Sequence, residues 1–286
     1  MQLLIFLLKS SRPGLWFCTI WLYLLPTSQM DSIWSSFPFW FGLFYVSFPL
    51  NLLVYGWNDY VDVSADKLNP RKDSFLFGAR GTEEEVRSLP KAIITTQLLC
   101  LPYLVYLSSA YFLLLFTAFL VISWLYNLPN GGLRSKPPLE LLCQIGYLLV
   151  VPISILLNDT SQLPIWSYAY LLLFAWQSHL IGEVMDIEPD AKAGKTTTAV
   201  LIGMRKTKLL IILFVALEIG ILAVVIQDYF FAGFLGLGLV WLMIDLFIIY
   251  KTKIYSLAEM KLFGYLSNLM AIISMSYVWL SGCLLS

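Results

Sequence analysis

The chain has 286 residues and a formal net charge of zero, with 59% apolar and only 13% charged residues and a mean hydropathy of +0.78. A water-soluble domain carries about 25% charge, so this composition excludes a chain that is soluble throughout. At about 20 apolar residues per crossing, the length accommodates roughly nine or ten membrane helices and no separate soluble domain.

The N-terminal residues Met1 to Leu8 are apolar and are followed by Lys9 and Arg12. A secretory signal has the reverse order, so this stretch reads as a short interfacial segment leading into the first span. Apolar runs at 14–30, 37–58, 89–108, 110–128, 139–157, 163–183, 207–227, 229–250 and 264–285 predict nine spans in one all-α transmembrane domain, 1–286, around a central cavity. Pro49, Pro102 and Pro152 fall inside spans, which membrane helices tolerate when neighbours satisfy the freed carbonyls. Cys18, Cys100, Cys143 and Cys283 form no C-x-x-C pair and lie in apolar stretches, as buried small hydrophobes do.

With nine spans, all 18 Lys and Arg fall in the segments on the N-terminal side of the membrane. The opposite connections, near 27–36, 108–110, 158–162 and 227–228, contain none. The positive-inside rule then predicts that the N-terminus and the two long loops, about 59–88 and 184–206, face the cytoplasm. Long ordered loops on a rigid scaffold commonly carry function, and these two hold most of the acids.

The first loop opens with Asn58-Asp59-Tyr60-Val61-Asp62, and Asp66 follows. If the second span continues as a helix, Asn58, Asp62 and Asp66 share one face. Carboxylates gathered in this way need a compensating cation, and an oxygen-only set favours a hard ion such as Mg²⁺. The second loop repeats the pattern with Glu183, Asp186, Glu188 and Asp190, where Asp186 and Asp190 are again four apart. Lys67, Arg71 and Lys72 follow the first cluster, and Lys192 and Lys195 the second. Salt-bridged solvated loops would look similar. Two clusters on one membrane face, each at a helix end with bases close behind, better suit an anion held between metal ions and Arg or Lys.

Asn58-Asp59-x-x-Asp62-x-x-x-Asp66 resembles the first signature of the UbiA superfamily of intramembrane prenyltransferases, and Asp186-x-x-x-Asp190 resembles its second Asp motif. The similarity extends through Ser11-Arg12-Pro13, Asn69-Pro70-Arg71-Lys72, the stretch from Tyr126 to Pro137, and Ala193-Gly194-Lys195-Thr196-Thr197. Tyr55-Gly56-x-Asn58-Asp59 and His179-Leu180 with Asp186-Ile187-Glu188-Pro189-Asp190 are most similar to the lycopene elongase branch, which adds a five-carbon unit to a carotenoid end. Asp73-Ser74-Phe75-Leu76-Phe77 is more apolar than the Gly-rich stretch expected after the first motif, which leaves the acceptor open.

The resemblance implies a membrane enzyme in which Asn58, Asp62, Asp186 and Asp190 bind Mg²⁺. Asp59 and Asp66 would serve as secondary ligands or as partners of the bases. It further implies that Arg71, Lys72, Arg134, Lys136 and Lys195 hold the diphosphate of a prenyl diphosphate donor, with a lipophilic acceptor and membrane lipids as the other partners and no nucleic acid. Asp62 and Asp186 would be essential to catalysis. Tyr126 would bond the leaving oxygen or face the allylic carbon, or else belong to the interfacial aromatic belt. The allylic bond would ionise in a cavity that excludes water.

His179, the single histidine, lies one turn before Glu183; it is either a base for the final proton or a partner of Glu183. Glu218 and Asp245 lie inside spans without a motif and are expected to pair with polar neighbours or to mark helix ends. Asn158-Asp159-Thr160 is a sequon too close to the membrane for use. A transporter would need its acids near the midplane and repeated halves, and a CDP-alcohol phosphotransferase would need D-G-x-x-A-R after Asp62; the sequence has neither. Within the superfamily, a quinone precursor, a tetrapyrrole, or cyclisation of the cation without an acceptor remain alternatives to a carotenoid.

Overall fold

A computed structural model describes residues 2–128 and 132–285 of the chain, with Ser64 and Ala65 as backbone only. Residues 129–131, within the Tyr126 to Pro137 stretch, therefore lie outside the described residues. Among those described, every regular element is helical, apart from one isolated antiparallel bridge between Ser74 and Gly78.

In chain order the main elements are α1 (Gln2–Ser10), α2 (Trp16–Leu24), α3 (Phe37–Val61), α4 (Val63–Leu68), α5 (Glu83–Leu107) and α6 (Tyr111–Tyr126). They continue as α7 (Leu139–Asn158), α8 (Ile165–Lys192), α9 (Thr198–Ile202), α10 (Met204–Ile226), α11 (Tyr229–Ile249) and α12 (Leu257–Ser281). Among the described residues, seven helical segments are long and apolar enough to cross a membrane, the first being Gln2–Thr27, which takes in both α1 and α2. The remaining two expected spans correspond to α6, apolar but only 16 residues long, and to α8, whose hydropathy is diluted by Gln177, His179 and Glu183. The N-terminal stretch thus forms a helix that joins the first apolar segment, broken where Arg12 adopts the left-handed conformation before Pro13.

Polar groups inside the apolar core are used to bind helices together. Tyr23 is fully buried; its hydroxyl donates to the Phe39 carbonyl at 3.0 Å and accepts from Asn158 Nδ2 at 3.1 Å. This bond occupies the amide of the Asn158 sequon. A Cβ on Gly42 would lie 2.2 Å from that hydroxyl, so the α2–α3 approach requires glycine there. Around Pro49, Asn51 Nδ2 donates at 2.8 Å to the carbonyls of Val46 and Ser47, and Gln97 Nε2 donates to the Pro49 carbonyl at 2.9 Å. These side chains satisfy acceptors of the turn that the proline disrupts.

Of the two intramembrane acids without a motif, only Asp245 is paired as expected. Lys208 Nζ sits 2.6 Å from its carboxylate, and Tyr255 donates to it at 2.8 Å. Glu218 is fully buried, and neither of its oxygens has a hydrogen-bond partner. Replacing Glu218 with Leu removes two unmatched polar atoms and should raise stability by roughly 1–3 kcal/mol. Lys208→Met, which strands Asp245, should lower it by about 3–5 kcal/mol. Thermal midpoints in detergent measure both; a lower midpoint for Glu218→Leu would contradict this account.

Candidate active site

Near its C-terminal end α3 contains a π-helical turn, Leu52–Gly56, followed by a last α-helical stretch, Trp57–Val61. Such a turn inserts extra backbone and rotates everything after it about the helix axis. The helix is interrupted at Asp62, yet the amide of Asp62 still bonds the Asn58 carbonyl and that of Asp66 the Asp62 carbonyl, each at 2.9 Å. The i, i+4, i+8 spacing is therefore preserved across the break. Asn58, Asp62 and Asp66 all line one cavity of about 390 Å³.

The second set comes from α8. His179, Glu183, Asp186 and Asp190 are offset by four, seven and eleven residues, so they lie along one helix face. All four border the same cavity. The apolar part of α8 ends near Glu183, leaving Asp186 and Asp190 on its polar end.

Basic residues bridge the two sets. Asp62 accepts Arg134 Nη2 at 2.9 Å on one oxygen and Lys195 Nζ at 2.6 Å on the other. Arg71 pairs with Asp186, which also accepts from Asn69 Nδ2 at 2.8 Å. The Arg71 guanidinium is further held 4.7 Å above the Phe77 ring. Lys72 lies 2.9 Å from Asp66, and Lys195 lies 3.7 Å from Asp190. The cavity wall thus sets Asp62, Asp66, Glu183, Asp186 and Asp190 against Arg12, Arg71, Lys72, Arg134 and Lys195. Away from this end it is lined by apolar side chains, including Phe17, Leu22, Phe119, Ile122 and Phe174.

This donor set suits a hard divalent cation. Burial pushes the Asp190 carboxyl up to about 7, with the neighbouring Asp186 charge adding to the effect. Burial likewise raises Asp66 to about 6, against the opposing pull of Lys72. Carboxylates that resist ionisation in this way are those a cation would relieve. Among the described residues no three His, Cys, Asp or Glu converge closely enough to hold an ion by themselves. A bound ion would therefore draw on Asn58 and on oxygens of an anionic ligand, as Mg²⁺ commonly does.

Two candidates from the sequence are placed elsewhere. Lys136 is exposed and does not border the cavity. Asp59 is buried behind the wall, where one oxygen takes both Arg12 at 2.8 Å and Lys72 at 2.5 Å. It anchors the bases and is not a cavity-facing ligand. Tyr126 does border the cavity, with its ring edge-on to His179 at a centroid distance of 6.4 Å. Several contributors went unselected in the sequence: Arg12, Asn69 and Asn127. Asn127 Oδ1 accepts from Asn58 at 3.2 Å and from Arg134 at 3.4 Å, joining α3 to the segment after α6. All three sat inside recognised motif stretches, which gave no sign of the contacts that each residue makes.

Curated relatives include lycopene elongase/hydratases. That of Corynebacterium glutamicum is 26% identical over 215 residues, covering 70% of each chain, and that of Haloarcula japonica is 28% identical over 211 residues, covering 72% of this chain and 69% of the relative. In structure, the chain resembles a UbiA homologue from Archaeoglobus fulgidus solved with DMAPP and Mg²⁺, at TM-score 0.68 and 16% identity, covering 95% of this chain and 99% of that one. A sequence profile of the UbiA prenyltransferase family matches residues 15–279. The all-helical membrane fold, the two acidic helix ends facing one cavity and this match over nearly the whole length together place the chain in the UbiA prenyltransferase family.

Proposed function

We propose that the chain, acting as one unit over residues 1–286, transfers an isoprenyl group from an allylic prenyl diphosphate to a lipophilic acceptor of the carotenoid class. The observation that carries this reading is the polarity of the cavity: two acidic helix ends and five bases at one end, an apolar wall at the other. The solved Archaeoglobus fulgidus homologues bound to DMAPP or GPP with Mg²⁺ support the donor class, and the lycopene elongase/hydratases support the acceptor class. The concentration of Lys and Arg on one side supports a cytoplasmic site.

Asn58, Asp62, Asp186 and Asp190, with Asp66 behind them, would hold Mg²⁺. When bound, the metal neutralises charge growing on the leaving diphosphate. Arg71, Arg134 and Lys195 now occupy carboxylate oxygens and would turn to the diphosphate oxygens; Lys72 stays between Asp59 and Asp66 at the edge of the site. Tyr126 presents its ring to the reacting region, and the apolar wall keeps water from an allylic cation.

The direct test incubates detergent-purified protein with Mg²⁺, labelled dimethylallyl diphosphate and lycopene. Label should enter the carotenoid, and EDTA or the Asp62→Ala/Asp186→Ala pair should reduce transfer by at least about 10³-fold. Activity of the double variant equal to the unaltered protein would sink the reading. Transfer only to an aromatic acceptor would retain the site and change the substrate.

A paired comparison tests the bases: Arg134→Ala should lower donor-dependent turnover roughly 100-fold, while Lys136→Ala should leave it nearly unchanged. Equal losses would put Lys136 back in the site.

The raised carboxyls set a pH dependence. Metal binding needs the ionised form, so protons compete as pH falls through about 7 for Asp190 and about 6 for Asp66. The Mg²⁺ concentration for half-maximal rate should therefore rise between pH 8 and pH 6, by up to about tenfold per pH unit for each displaced proton. A Mg²⁺ requirement that is flat across this range would contradict the assignment of these two carboxyls.

A further inference from the structure

A prenyl transfer must end with the disposal of a proton, and the residues placed around the metal and the diphosphate do not accept one. Attack of an acceptor double bond on the allylic carbon forms a C–C bond while the C–O electron pair leaves with the diphosphate. The acceptor is then a carbocation. A C–H bond beside that centre must break, its electron pair becoming the new double bond and its proton going to a base.

Resting on the prenyl-transfer reading, we propose that His179, held by Glu183, is that base. His179 is the single histidine of the chain and borders the cavity. It precedes Asp186 by seven residues on the same face of α8, a separation of about 10 Å along the axis. That offset carries it from the level of the diphosphate into the apolar part of the cavity, where the new bond and the acceptor cation form.

Its surroundings are built to receive a positive charge. Nε2 lies 3.1 Å from Glu183 Oε1, an oxygen that is buried and has no aligned hydrogen-bond donor. The other Glu183 oxygen is fixed by the Ala199 amide at 2.9 Å, at the start of α9. The Glu183 carboxylate thus lies against the Nε2 edge of the ring, and Nδ1, which has no protein partner among the described residues, is left as the nitrogen that can take the proton. Proton transfer to Nδ1 creates an imidazolium whose charge Glu183 stabilises. The other titratable groups around it are Tyr126, edge-on from α6, and Glu140 from α7, whose carboxylate is already bonded to Thr198. After product release the proton passes to diphosphate or water, and the neutral imidazole is restored.

The competing base is the departing diphosphate. Three readouts at saturating Mg²⁺ separate the two, using dimethylallyl diphosphate, lycopene and the full-length protein. In His179→Gln, the affinity for a non-hydrolysable thiolodiphosphate analogue of the donor should stay within about twofold. Carotenoid product should fall roughly 100-fold, while diphosphate release continues and the label appears as prenyl alcohol. The pH profile of carotenoid formation should change shape. Glu183→Gln keeps the shape but removes the charge that favours the imidazolium, so it should shift label from carotenoid to prenyl alcohol in the same direction as His179→Gln. Unchanged product and an unchanged pH profile in His179→Gln would overturn the inference and assign the proton to diphosphate. Loss of donor affinity in both variants would overturn it in favour of a structural role. If the unaltered protein transfers to no acceptor, the prenyl-transfer reading fails and this inference with it.

Discussion

Charge brought next to hydrocarbon must be matched by charge, and the polar end of the cavity is organised by that requirement. Asp62, buried to 5% exposure, is held between Arg134 and Lys195, which come from two separate segments later in the chain. Asp186 is held by Arg71 and Asn69, more than 110 residues earlier. Pairs of this kind add little net stability, because desolvation offsets much of their attraction. Their effect is on geometry: each carboxylate has one arrangement of neighbours that leaves no charge stranded. The same pairs make a site suited to an anion, since a phosphate can take over the bases and a cation the acids without leaving either set unmatched.

That constraint explains why much of the site was legible in the sequence. Acids at intervals of three and four at the ends of two apolar runs stand out in a chain with 13% charge. Spacing alone brings Asn58, Asp62 and Asp66 to one wall, and Asp186 and Asp190 to the facing one. The bases that follow each cluster were visible for the same reason. The apolar runs located the helices, since a membrane-spanning backbone has few alternatives to a helix.

What the sequence did not reveal depends on the third dimension. Spacing set Asp59 off the face shared by Asn58, Asp62 and Asp66 but left open whether it was a ligand or a partner of the bases; the turn of the helix sends it behind the wall to Arg12 and Lys72, and Asp62 into the wall. Lys136 and Arg134 are two residues apart, and only Arg134 reaches the cavity. Asn127 acquires its role from partners on two other segments. Glu218 resembles Asp245 in sequence, but the lysine that neutralises Asp245 comes from α10 itself and has no counterpart near Glu218. The π-helical turn before Asn58 has no compositional marker, although it sets the direction of every residue after it.

The unexpectedly apolar segment after Lys72 has a structural explanation. Leu76 occupies a slot between the turn that joins α1 to α2 and helix α12: a Cβ on Gly14 would come within 2.5 Å of one of its methyls, and a Cβ on Gly264 within 2.6 Å of the other. Beside it, Phe77 packs with Met185 and Met260. The loop bearing Arg71 and Lys72 is therefore seated by shape, while the groups it carries act by charge. Salt weakens attraction between charges but hardly alters how a leucine fits between glycines. Ionic conditions could thus tune the grip on a ligand without dislodging the loop that delivers it.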